Sequence, residues 1–354
     1  MQKRNNRHIT PILLLSIWLF NVNAFAGESP EKNVNPKEVI FEHIQDAYWW
    51  HITTVNNHHI SVYLPVIVYS SKSGLAVFSS SHIAHNHKYK GYYITEEGKY
   101  AGKIVELNDA GEEVRPVDLS LTKISFAIVF NSIIMLSLFL SVARWYKKRP
   151  KHAVPGGLVG AIEMFVMSIE DDIIRKSIGH DFARYSPYLL TAFFFIFINN
   201  IMGLIPFFPG GANVTGNISV TLVLALCTMV AINLFGNKAY WKEIFWPEVP
   251  MWMKVPLPLM PVIEFFGVIS KPFALTIRLF ANITAGHAVL LSVTCLIFAT
   301  AKLGVAVNTG MTVFSVILSV FMCFLEILVA YIQAYVFTML SAVFIGLSRH
   351  NDKH

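Results

Sequence analysis

The feature that most constrains this chain is a long run without ionisable side chains of Asp, Glu, Lys or Arg, from Tyr185 to Asn237. About 20 apolar residues suffice for a helix that crosses a bilayer core, so the run is long enough for two spans. The segment 206–211 holds two prolines and two glycines and marks the turn between them. Hydrophobic residues make up 54% of the 354 and charged ones 14%, against roughly 25% charged in soluble domains. The composition predicts an integral membrane protein.

The other apolar runs complete a prediction of five spans. Ile124–Ala143 contains no charge and is followed by five Lys or Arg residues within 144–151, which marks that end as cytoplasmic. The last two runs would each be about 60 Å long as straight helices, twice the bilayer core of about 30 Å, so they predict a steeply tilted hairpin. The predicted spans are about 124–143, 187–205, 220–235, 260–299 and 311–347.

The N-terminus has the pattern of a secretory signal peptide. Basic residues within 3–7 precede the apolar run Pro11–Phe20, and an Ala-x-Ala site ends at Ala26. We therefore predict a signal peptide over residues 1–26, cleaved after Ala26, with an uncleaved anchor as the alternative. Either way the following residues lie outside the cytoplasm, in the periplasm of a bacterium. Five spans that begin there place the C-terminus in the cytoplasm.

Residues 27–121 are polar and predict a small exported domain. Two runs within it, Ile60–Tyr69 and Gly74–Phe78, are rich in β-branched and aromatic residues and indicate strands. His82, His85 and His87 have a spacing that could bind a metal, but no carboxylate or cysteine clusters with them, so a polar loop is the favoured interpretation. We predict no metal and no cofactor. The three cysteines all lie in apolar segments and indicate no disulfide framework.

The membrane domain is predicted over residues 122–354. Within it, residues 156–178 carry apolar side chains at steps of three and four, which predicts an amphipathic helix at the membrane surface. The predicted fold is an all-α polytopic membrane protein of five transmembrane helices with the tilted hairpin, preceded by the small β-containing domain. Basic residues cluster beside the spans, so the net charge of +6 indicates membrane orientation and not nucleic-acid binding.

The two last spans contain a set of polar side chains at membrane depth. Arg278 cannot lose its charge by deprotonation, and burying it in lipid is costly, so something polar must face it. Asn282 lies about 40° from Arg278 around the helix, whereas His287 projects to roughly the opposite side. Glu326 and Gln333 return to within about 20° of one face of the next span. Because consecutive spans run antiparallel, we expect Arg278 to neighbour Gln333 and His287 to neighbour Glu326. Intramembrane groups of this kind predict a path for an ion, with His287 suited to proton relay.

Three sequence motifs resemble subunit a of the membrane sector of F-type ATP synthases. The first is I-S-K-P-x-x-L-x-I-R-L-F-x-N-x-x-A-G-H, from Ile269 to His287, and the second is Glu326-x6-Gln333. The third is the pair N-N-x-x-G-L-I-P from Asn199 and N-x-S-x-T-L from Asn217. The resemblance covers about residues 120–348, so it does not extend to the exported domain, which we predict to be dispensable for the ion path.

The resemblance implies a proton-channel stator subunit, which is not itself an enzyme, in a multi-pass inner-membrane complex. Arg278, Asn282, His287, Glu326 and Gln333 occupy the family's proton-translocation positions. Its implied partners are the c-subunit ring, the b-subunit peripheral stalk, the soluble ATP synthase sector and the bilayer. From the residues alone, a secondary transporter or channel with an Arg/His/Glu substrate site remains the competing class, although no inverted repeat is evident.

Overall fold

The computed structural model describes residues 45–55, 58–71, 73–84, 87–95, 98–108, 111–150, 153–205, 208–245, 259–300 and 304–349. The predicted signal peptide, the start of the predicted exported domain, His85 and Pro206 lie outside these ranges. Eight strands precede a series of helices.

The strands form three small antiparallel sheets within residues 45–121, which we call the N-terminal β region. In sheet order these are β1–β2, β4–β3–β8 and β5–β6–β7. Their bounds are β1 Trp49–Val55, β2 His58–Tyr63, β3 Pro65–Ser70, β4 Gly74–Ser79, β5 Tyr92–Ile94, β6 Ile104–Leu107, β7 Glu113–Val114 and β8 Val117–Asp118.

The predicted run Ile60–Tyr69 is divided between two strands. Leu64 is buried and lies between β2 and β3, and proline at position 65 can begin a strand but cannot donate to its ladder. In β3, Val66 and Val68 face the core while Tyr69 faces outward. This alternation is the period of a half-buried strand, so the run has the predicted type of structure but two elements instead of one.

A hydrogen bond closes the N-terminal β region between its two ends. The buried Tyr48 hydroxyl donates to Asp118 Oδ2 at 2.5 Å. Burial, together with this hydrogen bond, raises the pKa of Tyr48 above its ordinary value. The phenol therefore stays protonated and able to donate at neutral pH.

The helices account for the remainder of the described chain. They are α1 Lys123–Lys147, α2 Gly157–Ile169, α3 Arg175–Ile178, α4 Phe182–Leu204, α5 Ile218–Leu234, α6 Lys238–Phe245, α7 Leu259–Thr300 and α8 Val305–Arg349. Among the described residues, four helical segments are long and apolar enough to cross a membrane: 123–147, 157–204, 262–300 and 305–349. The apolar α5 has 17 residues. The multi-pass membrane fold is thereby confirmed.

The predicted amphipathic helix runs almost without interruption into the second predicted span. A π-helical segment, Glu170–Ile174, joins α2 to α3, and one 3₁₀ turn joins α3 to α4. A π turn contains an extra residue, which rotates the following side chains relative to an α-helical pattern. Ile173 and Ile174 are consequently both buried.

The helices α7 and α8 form a long antiparallel hairpin. At about 1.5 Å per residue their 42 and 45 residues correspond to roughly 63 and 68 Å. Close to the turn, the Ser315 hydroxyl donates to the Val293 carbonyl at 2.5 Å. Farther along, Asn282 Nδ2 donates to Gln333 Oε1 at 2.9 Å, so the two helices stay in contact over many turns.

The opposite end of the hairpin is joined to the other helices by Arg349. Its guanidinium pairs with Asp181 and donates to the Phe235 carbonyl at 3.2 Å. Gly346, one turn earlier, lies so close to the Ser177 carbonyl that a Cβ atom would collide with that backbone. An apolar core from α4, α5, α7 and α8 packs between these contacts, so the hairpin is held against the preceding helices along one side.

Candidate functional site

A cavity of about 200 Å³ lies where α4 meets the hairpin. A single water molecule occupies about 30 Å³ in the liquid, so the cavity has room for several. Its lining combines apolar side chains with the carboxyl, imidazole and amide groups of four polar residues. The lining residues are Asn200 and Leu204 from α4, Asn282, Ile283, Gly286 and His287 from α7, and Met322, Leu325, Glu326, Val329 and Ala330 from α8.

Glu326 reaches this cavity across the backbone of Gly286. The carboxylate is only 7% exposed, and a Cβ atom at Gly286 would lie 3.1 Å from Glu326 Oε1. Glycine at this position therefore allows the carboxyl group to pack against α7. Glu326 Oε1 is buried and makes no hydrogen bond within the described part of the chain. A buried carboxyl oxygen without a partner is costly, which favours a protonated or a hydrated group.

His287 approaches the last turn of α4 at Gly203. A Cβ atom at Gly203 would lie 3.5 Å from His287 Nε2 and 3.3 Å from the Ala212 carbonyl oxygen. His287 Nε2 is also buried without a hydrogen-bond partner among the described residues. His287 and Glu326 thus share one cavity, and the two unpartnered atoms are not hydrogen-bonded to each other. Water in the cavity could bridge them, since both ends are polar and the space is sufficient.

Asn282 and Gln333 form a direct contact between the two hairpin helices. Gln333 is 3% exposed and accepts the Asn282 hydrogen bond. Asn200 Nδ2 donates a hydrogen bond to the carbonyl of Ala330, one turn before Gln333, at 3.4 Å. These contacts bring the amide of α4 and both predicted amides of the hairpin to the same depth as the cavity.

Arg278 lies outside the cavity, on the exposed side of α7. Within the described ranges its guanidinium has neither a hydrogen bond nor an ion pair. Large apolar side chains of the same helix, including Phe273 and Ile277, are also exposed. The sequence-based expectation that Arg278 would neighbour Gln333 is met only indirectly, because Asn282 is the residue that bonds Gln333. Arg278 is therefore available to a group outside this chain.

Asn200 lines the cavity although the sequence did not single it out as a site residue. Its Oδ1 accepts from the Thr215 hydroxyl at 2.5 Å, and both side chains are buried. The available signal was its place in the motif N-N-x-x-G, which puts two amides in an otherwise apolar span. Periodicity alone could not show that this amide meets α8, because it carries no information about which helices are neighbours.

No group of three or more metal-ligating residues occurs in the part of the chain that the structure describes. Of the three histidines considered for a metal, His82 stacks on the Tyr89 ring with centroids 4.7 Å apart. That contact is the kind of aromatic packing found in structural loops.

Comparison with known proteins assigns the membrane region to a family. The family model "ATP synthase A chain" matches residues 125–346, and a model described as a domain of unknown function matches residues 39–120. The chain is 42% identical over 243 residues to ATP synthase subunit a of Pelodictyon phaeoclathratiforme, covering 67% of this chain and 68% of the relative. It is 37% identical over 266 residues to ATP synthase subunit a of Myxococcus xanthus, covering 70% of this chain and 82% of the relative. The chain therefore belongs to the ATP synthase subunit a family.

Proposed function

We propose that this chain is the proton-channel stator subunit of an F-type ATP synthase. The observation that carries the proposal is that the charged and titratable groups of the hairpin lie in two different places. Arg278 lies unpartnered on an exposed apolar surface, whereas His287 and Glu326 lie together in a cavity behind it. A stator that passes protons to a moving partner needs both a hydrated path and a fixed charge at the contact surface.

In the proposed mechanism, protons enter from the periplasm through a half-channel that contains His287 and Glu326. They neutralise a carboxylate on the rotating c-subunit ring, and only a neutral site can face lipid at acceptable cost. After nearly a full turn the site reaches a second half-channel that opens to the cytoplasm, and it releases its proton there. Arg278 attracts the ionised carboxylate between the two half-channels and prevents a direct leak.

The proposed partners follow from the exposed surface of the hairpin. The c ring would contact the face around Arg278, which is long, apolar and uncovered in this chain. We propose that the b-subunit stalk holds the chain against rotation and that the soluble sector performs the ATP chemistry. Asn282 and Gln333 would hold the two hairpin helices in register behind Arg278.

A secondary transporter with a substrate site is the alternative function, and the geometry does not favour it. A bound substrate would require the cationic side chain and the carboxylate to face one cavity. Arg278 does not line the cavity that contains Glu326. Inside-out vesicles provide the test: ATP-driven proton uptake should depend on this chain and remain unchanged when sodium is varied. Uptake that follows the sodium concentration would overturn the choice of proton.

We further propose an inner-membrane topology with five spans, in which the 17-residue α5 is the third. At about 1.5 Å per residue α5 is about 26 Å long, close to the bilayer core of about 30 Å. The N-terminal β region would then lie in the periplasm, after a signal peptide over residues 1–26, and the C-terminus in the cytoplasm. The helical segment 157–178 would lie along the cytoplasmic surface.

This topology predicts opposite labelling of two exposed positions. Ser71 lies in the N-terminal β region and Ala239 in α6, and both are exposed. In a background in which the three cysteines are replaced by alanine, a membrane-impermeant thiol reagent should label Ser71→Cys in intact spheroplasts and Ala239→Cys only in inside-out vesicles. Labelling of both from one side would exclude five spans.

A further inference from the structure

The N-terminal β region docks on the membrane helices through one tryptophan. Trp50 of β1 is 4% exposed, and its ring lies 6.2 Å from Phe126 of α1 and 5.3 Å from Phe208, both edge-on. Phe208 begins the α4–α5 connector, residues 208–217. Buried Ala212 and Val214 of the same connector complete the cluster around Trp50. The indole is therefore the apolar contact that joins the β region to the connector.

The connector in turn forms one wall of the His287 environment. Gly211 N–H donates to the Met202 carbonyl at 3.0 Å, which folds the connector back onto the end of α4. The Ala212 carbonyl packs against Gly203, whose other neighbour is the His287 imidazole. Thr215 donates to Asn200, which lines the same cavity. The connector thus reaches the groups around the cavity through two separate contacts, one at Gly203 and one at Asn200.

The start of α1 provides a second attachment of the β region. The Lys123 N–H donates to the Ala47 carbonyl at 2.8 Å, and Asp46 Oδ1 accepts from the Ile124 N–H at 3.1 Å. The Lys123 side chain is 8% exposed, and its ammonium lies 5.6 Å from the centre of the Trp50 ring. The β region is therefore fixed to the start of α1 as well as to the connector.

We propose that the N-terminal β region is a structural component of the proton inlet, and that Trp50 is a positioning residue for His287. By holding the connector against Gly203, Trp50 keeps the imidazole and Asn200 at the cavity. This inference rests on the proposed function, since it assigns a role within that inlet. The sequence-based expectation treated the exported domain as dispensable for the ion path, and the docking of Trp50 points to the opposite.

The physical reason is that proton transfer requires groups to lie within hydrogen-bond reach directly or through one water. Within the described residues neither His287 Nε2 nor Glu326 Oε1 makes a hydrogen bond that would hold it. The imidazole does interact with the backbone of Gly203, at the end of α4, and of Ile283 in its own helix. Its position therefore depends on the end of α4 and on the connector that packs against it. A displacement of about 1 Å in a supporting residue is enough to impair a functional site.

The test measures proton flux through the membrane sector in the assembled complex. Membrane vesicles are stripped of the soluble sector, a potassium diffusion potential is imposed, and flux is expressed per assembled complex. We expect Trp50→Ala to lower this flux several-fold with assembly unchanged, and Trp50→Phe to restore most of it. Tyr69→Ala, at an exposed position of the same β region, is the matched control and should conduct like the wild type.

Three outcomes separate the possibilities. Normal flux per complex in Trp50→Ala would overturn the inference while leaving the proposed function intact. If the wild-type membrane sector conducts no protons, the proposed function itself fails. If Trp50→Ala does not assemble, Phe208→Ala decides, because Phe208 is 37% exposed and less damaging to remove. Lower flux with normal assembly in Phe208→Ala supports the inference, and unchanged flux overturns it.

Discussion

Replacing Arg278 with alanine should abolish ATP-driven proton pumping while the chain remains inserted and assembled. The guanidinium is on the exposed side of α7 and contributes no hydrogen bond or ion pair to the fold within the described residues, so its removal should cost the structure little. None of the residues that line the cavity carries a fixed positive charge that could replace the guanidinium. Without Arg278 an ionised carboxylate on the moving partner would lose its counter-charge at membrane depth, which is unfavourable.

Acidification of inside-out vesicles by ATP measures this effect directly, and assembly is followed by recovery of the complex. Phe298→Ala serves as the control, because Phe298 is an exposed residue of the same helix at 58% and carries no charge. Arg278→Lys should restore activity poorly, because a lysine ammonium can lose its proton and lacks the planar, bidentate geometry of the guanidinium. Normal coupled pumping by Arg278→Ala would remove the basis for the stator assignment.

Exchanging His287 and Glu326 should restore part of the proton flux that either single replacement removes. Each of His287→Ala and Glu326→Ala should lower flux by at least about tenfold, since a positioned acid–base group typically contributes about 10²–10⁴-fold in proton transfer. Both groups line the same cavity, and Gly286 lets the Glu326 carboxyl group pack against α7. The double variant His287→Glu with Glu326→His keeps one imidazole and one carboxyl group there.

Passive proton flux in stripped vesicles, expressed per assembled complex, distinguishes the interpretations. Thr284→Val is a suitable control, since Thr284 lies on the same helix as His287 but does not line the cavity. Its buried hydroxyl makes no hydrogen bond within the described part of the chain. This variant should conduct normally. If the proton flux of the exchange variant is as low as the two single losses multiplied together, the two residues act in separate places.

The membrane part of this protein was predictable from its sequence because the bilayer imposes lengths and charge rules. The apolar runs predicted the helices α1, α4, α5, α7 and α8, and the structure has a helix at each place. The excess length of the last two runs likewise predicted a hairpin longer than the membrane is thick. The polar residues could be selected for a related reason, since a side chain such as Arg278 or Glu326 is kept in an apolar helix only at a cost.

Elements whose form depends on contacts with distant residues were less predictable. The division of β2 from β3 at Leu64 and the π-helical segment Glu170–Ile174 both depart from simple periodicity. Periodicity describes where a side chain points around its own helix or strand. It does not account for an extra residue in a turn, so the burial of both Ile173 and Ile174 could not be anticipated.

The sequence by itself determined the membrane class, the helical runs and the identity of Arg278, His287 and Glu326 as candidate residues. The antiparallel hairpin also predicted that His287 and Glu326 would meet, but only the tertiary structure showed that Asn282, and not Arg278, bonds Gln333. The cavity of His287 and Glu326 exists because Gly286 and Gly203 let side chains approach backbone from other helices, and Trp50 packs against the neighbouring α4–α5 connector. These contacts join segments far apart in the chain, and helical angles along one segment contain no information about its neighbours in space.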